Sequence, residues 1–254
     1  MTQRLERPDW RDIALCLVFF TRLPLPVFDF RDRKLADAIW AAPLAGLAVA
    51  ILGTLAYSIA TRLGLAAGPA AALALTATVL VTGALHEDGL SDVADGFGGG
   101  GDRTRKLEIM RDSRIGAYGA AALALSLLIR WSALAEIHGS WPMLAALTAA
   151  HGASRGLLGA FMHALPSARD DGLSVGAGSV SRQVAIAGAA LGAVALLPLG
   201  LNAFVSAAIL LAIVFAAFGA LCRHQIGGQT GDTAGALQQL AEIVVLLVAS
   251  VTLS

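Results

Sequence analysis

Long apolar stretches alternate with short polar segments along this chain of 254 residues. A helix needs about 20 predominantly apolar residues to cross the hydrocarbon core of a membrane. Seven stretches approach or reach that length, so the pattern predicts an all-α protein built as a polytopic transmembrane helical bundle. The seven predicted helices span residues 39–60, 65–85, 115–137, 142–165, 184–201, 203–222 and 233–253.

A shorter apolar stretch, 13–20, precedes the first of these helices and ends at Arg22, Pro24 and Pro26. It is too short to cross a bilayer, and we expect an N-terminal helix that lies in the membrane interface. No internal repeat is evident, and no polar segment is long enough to fold apart from the bundle. The whole chain, 1–254, is therefore expected to form a single integral-membrane domain.

Composition supports a membrane protein. Hydrophobic residues make up 57% of the chain and charged residues 14%, a more apolar balance than that of soluble domains. The formal net charge is zero, so no overall field attracts nucleic acid, and the lipid bilayer is the expected partner. Cys16 and Cys222 form no metal-binding or redox pattern and are expected to be ordinary small apolar residues. Nothing in the sequence indicates an oligomeric state.

The distribution of basic residues predicts the orientation of the bundle. Cytoplasmic loops of membrane proteins hold an excess of Lys and Arg. Here the basic residues concentrate before the first predicted crossing and after the second, fourth and sixth, whereas the alternate loops carry only Arg62. We therefore expect an inner-membrane protein whose N-terminus and Gly-rich polar segments face the cytoplasm.

The polar segment 86–96, directly after the second predicted helix, carries the densest chemistry. If it is helical, Asp88, Asp92 and Asp95 lie at i, i+4 and i+7 on one narrow stripe. Three like charges repel one another unless a hard cation such as Mg²⁺ binds them, and Mg²⁺ commonly links carboxylates to substrate phosphates. Gly89 and Gly96 would then leave room for a bulky diphosphate. The alternative is a solvated helix end or a capping network.

The next polar segment offers basic groups. Arg111 and Arg114 are predicted to lie one turn apart and to bind phosphate oxygens with forked donors. Asp112 would either add a metal ligand or orient an arginine. The alternative is that the arginines anchor the following helix at the lipid headgroups.

The last polar segment contains Gly227, Gly228 and Gly231, followed by Asp232. These glycines predict a tight turn that leads into a helix N-terminus, where amide donors and the helix dipole favour an anion. The ordinary alternative makes Asp232 an N-cap. We expect this segment to fold towards the aspartate segment, because one diphosphate substrate needs donors from more than one side.

Ionisable residues that fall inside predicted crossings include Arg130, His151, Arg155 and Glu242. Ionisable groups at membrane depth are costly, so each is a functional candidate. A structural ion pair between Arg155 and Glu242 is the competing interpretation. A permeation path in a transporter is the corresponding functional alternative.

Five blocks of the sequence resemble one family. They are FFTRLPLP at 19–26, GALHEDGLSDVADGFGGG at 83–100, KLEIMRDSRIGAYG at 106–119, ARDDGL at 168–173 and GGQTGDTAGA at 227–236. Together, and in this order, they resemble the adenosylcobinamide-GDP ribazoletransferases, also called cobalamin synthases. The second and third blocks are the most specific. Asp170 and Asp171 depart from the family pattern, which has a glutamate in that block.

The resemblance implies a Mg²⁺-dependent transfer in the membrane that joins adenosylcobinamide-GDP to α-ribazole or its 5′-phosphate. The products would be adenosylcobalamin, or its 5′-phosphate, and GMP. The family motif transfers onto His86, Asp88, Asp92, Asp95, Asp112, Arg114 and Asp232.

These residues suggest a division of roles. The three aspartates of segment 86–96 would hold one or two Mg²⁺ ions, while Arg111 and Arg114 close on the diphosphate. Either one of these aspartates or His86 would accept the proton of the ribazole hydroxyl. The main alternative function is another Mg²⁺-dependent membrane phosphotransferase that uses a different nucleotide-activated alcohol.

Overall fold

A computed structural model describes residues 9–26, 29–30, 33–169 and 178–253. Within these residues the regular elements are helices. One isolated parallel bridge pairs Ser167 with Gln229. The predicted all-α class is therefore confirmed. Residues 170 and 171 of the ARDDGL block lie outside the described residues.

The helices match the apolar stretches to within a few residues at most ends. The first ones are α1 (Trp10–Phe20), the short α2 (Leu35–Ala38), a 3₁₀ turn (Ile39–Ala41), α3 (Ala42–Arg62), α4 (Ala67–Thr82) and α5 (Leu85–Gly99). They are followed by α6 (Arg103–Ile109), α7 (Ala117–Ala135), α8 (Ser140–Ala164), α9 (Arg182–Leu196), a 3₁₀ turn (Leu197–Leu199), α10 (Leu201–Ile226) and α11 (Gly231–Leu253).

Several helices are long and apolar enough to cross a membrane, which makes this a multi-pass membrane protein. Five qualify on length and hydropathy alone: Leu35–Arg62, Ala117–Ala135, Arg182–Leu199, Leu201–Ile226 and Gly231–Leu253. A sixth is formed if α4 and α5 are counted together. This count is lower than the seven crossings predicted. The physical reason is that α4 has only 16 residues, and that the 25-residue α8 carries His151 and Arg155.

Helix α8 tolerates these polar residues because it lies at the centre of the bundle. It packs against α3, α9 and α11, and both His151 and Arg155 are buried. Small residues allow the close approach: a Cβ atom placed on Gly156 would lie 2.8 Å from the Cα of Gly192 in α9. The exposed apolar side chains therefore lie on outer helices such as α10, whereas α8 is enclosed by its neighbours.

Contacts near the ends of the helices show which ends lie together. The Oγ atoms of Ser58 and Ser140 are 2.7 Å apart, so the end of α3 lies beside the start of α8. At the opposite end, Arg103 donates to the carbonyl of Ala168, and Arg169 donates to the carbonyl of Leu107. We call this opposite end, where α5, α6 and the starts of α7 and α11 meet, the polar end. Its formation confirms that the polar segments share one face.

A sharp bend separates α4 from α5. Gly83 and Ala84 both adopt left-handed backbone conformations, with φ of 63° and 56°, which ends α4 and turns the chain by 87°. The backbone N–H of Arg22 donates to the carbonyl of Val81 (2.6 Å) and so holds the N-terminal segment against this bend. The aspartate segment is thus a separate helix along the polar end and does not continue the axis of α4.

Candidate active site

The three aspartates of α5 share a stripe but have different surroundings. Residues 85–99 form one helix, so the predicted i, i+4 and i+7 spacing is confirmed. Asp88 is exposed, Asp92 is half-buried and Asp95 is buried. The stripe therefore runs from the open surface of the polar end into the protein.

Asp95 caps helix α7. Its carboxylate oxygens accept hydrogen bonds from the backbone N–H groups of Gly116 (2.7 Å) and Gly119 (2.8 Å). A carboxylate at this position satisfies free amide donors and interacts favourably with the helix dipole. For Asp95 the structure thus favours the capping interpretation over the predicted role as a metal ligand.

Asp88 and Asp92 bring two carboxyl groups close together at the polar end. They are neighbours at i and i+4 on the surface of α5. Burial, together with the nearby carboxylates of Asp88 and Asp232, raises the pKa of Asp92 to about 7. A divalent cation would relieve this repulsion. Across the described parts of the chain, no three His, Cys, Asp or Glu side chains form a group that could hold a metal ion alone. The fit is therefore to an ion bound by two carboxylates and completed by substrate phosphate oxygens, a common arrangement for Mg²⁺.

The start of α11 lies directly against α5, as predicted for a shared site. A Cβ atom on Gly89 would lie 2.7 Å from the backbone oxygen of Asp232. The N–H of Thr233 donates to the hydroxyl of Thr230, so Thr230 is the N-cap and the alternative that placed Asp232 there is wrong. The Asp232 carboxylate instead accepts hydrogen bonds from Thr230 (3.3 Å) and Arg169 (3.2 Å).

Three glycines expected beside the substrate pack against protein instead. Gly89 contacts the backbone of Asp232, and a side chain on Gly96 would overlap Met110. A side chain on Gly228 would overlap the backbone of Pro166. The space beside these glycines is filled, so they permit close packing rather than approach of a diphosphate.

The basic segment after α6 faces the acidic helix. Helix α6 ends at Ile109, so Arg111 and Arg114 are not one helical turn apart as predicted. Asp112 holds Arg114 by a forked pair of contacts, with Nη2 to Oδ2 at 2.6 Å and Nε to Oδ1 at 3.0 Å. These hydrogen bonds lower the pKa of Asp112 to about 2. Asp112 therefore orients an arginine, which was one of its two predicted roles. One cleft is lined by Asp88, Asp92, Arg111, Asp112 and Arg114.

Arg169 is a site residue that the sequence analysis missed. It connects α11 to α6 through its contacts with Asp232 (3.2 Å) and the carbonyl of Leu107 (3.2 Å). Its positive charge partly offsets the rise in the pKa of Asp92. Its place in the ARDDGL block could have identified it as a site residue, but from the sequence it served only as one of the basic residues that predict orientation.

His86 lies at the other edge of α5, away from solvent. Its side chain is 3% exposed and stacks on the ring of Phe20, with centroids 5.7 Å apart and planes at 17°. Its Nε2 atom is buried without a hydrogen-bond partner.

Below the polar end, buried charged side chains form pairs inside the bundle. Arg130 of α7 uses Nη1 to contact Glu87 of α5 (2.9 Å) and Glu242 of α11 (3.0 Å). Glu242 also contacts Nδ1 of His151 at 3.1 Å, and Arg155 contacts the same nitrogen at 3.1 Å. The ion pair of Glu242 is thus made with Arg130, and not with Arg155 as the competing interpretation had it. Because these charges compensate one another, the arrangement favours a structural cluster over a permeation path.

Fold and site together define a multi-pass membrane protein with carboxylates and guanidinium groups gathered at one end, an arrangement suited to a transferase that handles anionic substrates. The sequence matches the model of the cobalamin-5-phosphate synthase family over residues 12–250, and the chain belongs to that family. It is therefore a transferase that acts in cobalamin synthesis.

Relatives named adenosylcobinamide-GDP ribazoletransferase match nearly the whole chain. The protein of Mesorhizobium japonicum is 70% identical over 243 residues, covering 96% of this chain and 94% of the relative. That of Bradyrhizobium diazoefficiens is 52% identical over 241 residues, covering 94% and 93%. No solved structure matches the chain significantly.

Proposed function

We propose that the protein is a Mg²⁺-dependent enzyme that joins adenosylcobinamide-GDP to α-ribazole, or to its 5′-phosphate. The products are adenosylcobalamin, or its 5′-phosphate, and GMP. The names of the relatives suggest these substrates. The observation that carries the proposal is the meeting of Asp88 and Asp92 with Asp232 and Arg169 at the polar end.

The reaction is a phosphoryl transfer. The ribazole hydroxyl oxygen attacks the phosphorus nearest the corrinoid, and the bond from that phosphorus to the bridging oxygen breaks, so that GMP leaves. Negative charge builds on the equatorial and leaving oxygens. A Mg²⁺ ion bound by Asp88 and Asp92 would supply Lewis-acid stabilisation of these oxygens.

The side chains of the polar end supply the remaining functions. Arg111 and Arg114 face Asp88 and Asp92 across their cleft, where they stabilise the phosphate oxygens. A carboxylate of this cleft accepts the hydroxyl proton, because His86 is buried against Phe20 instead of facing these arginines.

We further propose that the bundle lies in the inner membrane with its polar end towards the cytoplasm. The exposed basic residues Arg111 and Arg114 lie at this end, whereas Arg62 ends α3 at the other. The excess of basic residues on cytoplasmic faces supports this orientation.

The decisive experiment is GMP release by the purified protein. We expect release from adenosylcobinamide-GDP only when α-ribazole or its phosphate and Mg²⁺ are both present. Asp88→Asn should abolish it, while Glu136→Gln, an exposed acid at the opposite end, should not. GMP release without a ribazole acceptor, or transfer from CDP-alcohols in its place, would refute the proposal.

A further inference from the structure

A mostly apolar pocket opens beside Asp88 and Asp232, between α1, α5, α8 and the start of α11. Its walls include Phe19, Phe20, Ile39, Leu158 and Met162. Its polar lining comes mainly from His86, Gln229, Asp88 and Asp232. The pocket therefore joins an apolar interior to two carboxylates of the candidate active site.

Two buried polar atoms of the lining residues have no partner. One is Nε2 of His86, and the other is Oε1 of Gln229. These side chains belong to residues that are 3% and 4% exposed, respectively. Buried polar groups are normally hydrogen-bonded, so unpaired ones in a pocket wall indicate where a ligand would bond. In the tautomer protonated at Nε2, His86 offers one donor, and Gln229 offers one acceptor.

A pocket with apolar walls, one donor and one acceptor fits the aromatic base of α-ribazole better than any other part of the two substrates. The base of α-ribazole is a dimethylated benzimidazole, which is planar, largely apolar and has a single free ring nitrogen that accepts a hydrogen bond. Guanine carries several donors and acceptors on its edges, and most would remain unpaired against these apolar walls. A corrin ring is far larger than a space between four packed helices.

We propose that this pocket binds the aromatic base of α-ribazole, with His86 donating to the free ring nitrogen and Gln229 accepting from a ribose hydroxyl. The inference rests on the proposed function and assigns the ribazole substrate to that site. The base lies among Phe19, Phe20 and Met162, and the ribose points towards Asp88 and Asp232. His86 is then a binding residue for the acceptor substrate.

The test combines a protein variant with a substrate variant. His86→Phe removes the donor and keeps a ring against Phe20, and the matching analogue replaces the free ring nitrogen of α-ribazole with CH. Each change alone should weaken ribazole binding about tenfold, the equivalent of one hydrogen bond. Combining both should weaken it no further. The KM for adenosylcobinamide-GDP should stay unchanged in the variant.

Binding is measured by titrating the protein with α-ribazole and following the fluorescence of the base, without turnover. Independent losses from the two changes would overturn the contact to His86, as would equal effects of His86→Phe on both substrates. If the wild type catalyses the transfer but the losses in ribazole binding are independent or extend to the other substrate, only the pocket assignment is wrong. If the wild type neither binds α-ribazole nor releases GMP, the proposed function itself is wrong.

A second variant keeps the proposal testable if His86→Phe does not fold. Met162→Trp places a larger side chain from α8 in the pocket and leaves the polar atoms of His86 and Gln229 in place. It should raise the KM for α-ribazole at least about tenfold with no change for the other substrate. Leu210→Trp, on the exposed side of α10, is the matched control. Unchanged ribazole KM in Met162→Trp would refute the pocket.

Discussion

Arg130 should be one of the most important single side chains for the stability of the bundle. It is 1% exposed and contacts the carboxylates of both Glu87 and Glu242. Arg130→Met keeps much of the apolar stem but leaves two buried acids without their cation. Removing one partner of a buried ion pair typically costs about 3–5 kcal/mol, and we expect a loss in that range.

Most of the loss of stability should come from the unpaired charge of Glu87. Glu242 keeps contacts with His151 and Gln238, whereas Glu87 keeps a single long hydrogen bond, at 3.3 Å, from Gln239 within the described residues. Adding Glu87→Gln to Arg130→Met should therefore recover about 1 kcal/mol or more, because it removes an uncompensated buried charge. Glu242→Gln should recover less.

The assay is reversible unfolding in mixed detergent micelles, followed by far-ultraviolet circular dichroism. Arg62→Met is the matched control, since it makes the same chemical change at an exposed position and should alter stability by about 0.5 kcal/mol or less. An Arg130→Met variant as stable as Arg62→Met would show that the cluster contributes nothing to the packing of α5, α7 and α11.

Four further predictions concern the polar end. Asp92→Asn should abolish transfer without unfolding the protein, because an amide is a poor ligand for a hard cation; undiminished turnover across a Mg²⁺ titration would contradict this. Asp95→Asn should instead lower stability by about 1 kcal/mol, because the amide can accept from only one of the two N–H groups that the carboxylate binds at the start of α7; a shift in Mg²⁺ dependence as large as that of Asp92→Asn would contradict the capping role. Because the pKa of Asp92 is raised to about 7, Mg²⁺ must displace a proton below that pH, so Mg²⁺ affinity should be weaker at about pH 6 than at about pH 8; equal affinities would exclude Asp92 as a ligand. A cysteine at Ser113, in a background without the native cysteines, should resist an impermeant reagent added outside intact cells while one at Ser140 reacts, and the reverse result would invert the proposed topology.

The helices of the bundle were predictable because their cause is local. An apolar stretch such as 203–222 has to satisfy its backbone hydrogen bonds internally in lipid, so composition and length alone predict α10. The spacing of Asp88 and Asp92 likewise needs only the helical period. The end of α4 was harder to predict, since Ala84 adopts a left-handed conformation that its residue type disfavours.

The partners of side chains were not predictable in the same way. Arg130 contacts one residue 43 positions away and another 112 positions away, whereas the one ion pair considered from the sequence, as an alternative, joined Glu242 to Arg155. Which charges meet depends on the rotation of each helix about its axis, and packing between α7, α8 and α11 sets that rotation. The sequence by itself therefore determined the helical bundle, the acidic stripe and the family resemblance. Only the tertiary structure decided that Asp95 caps a helix, that Arg169 joins the site and that His86 faces a pocket, because each depends on contacts between helices distant in the chain.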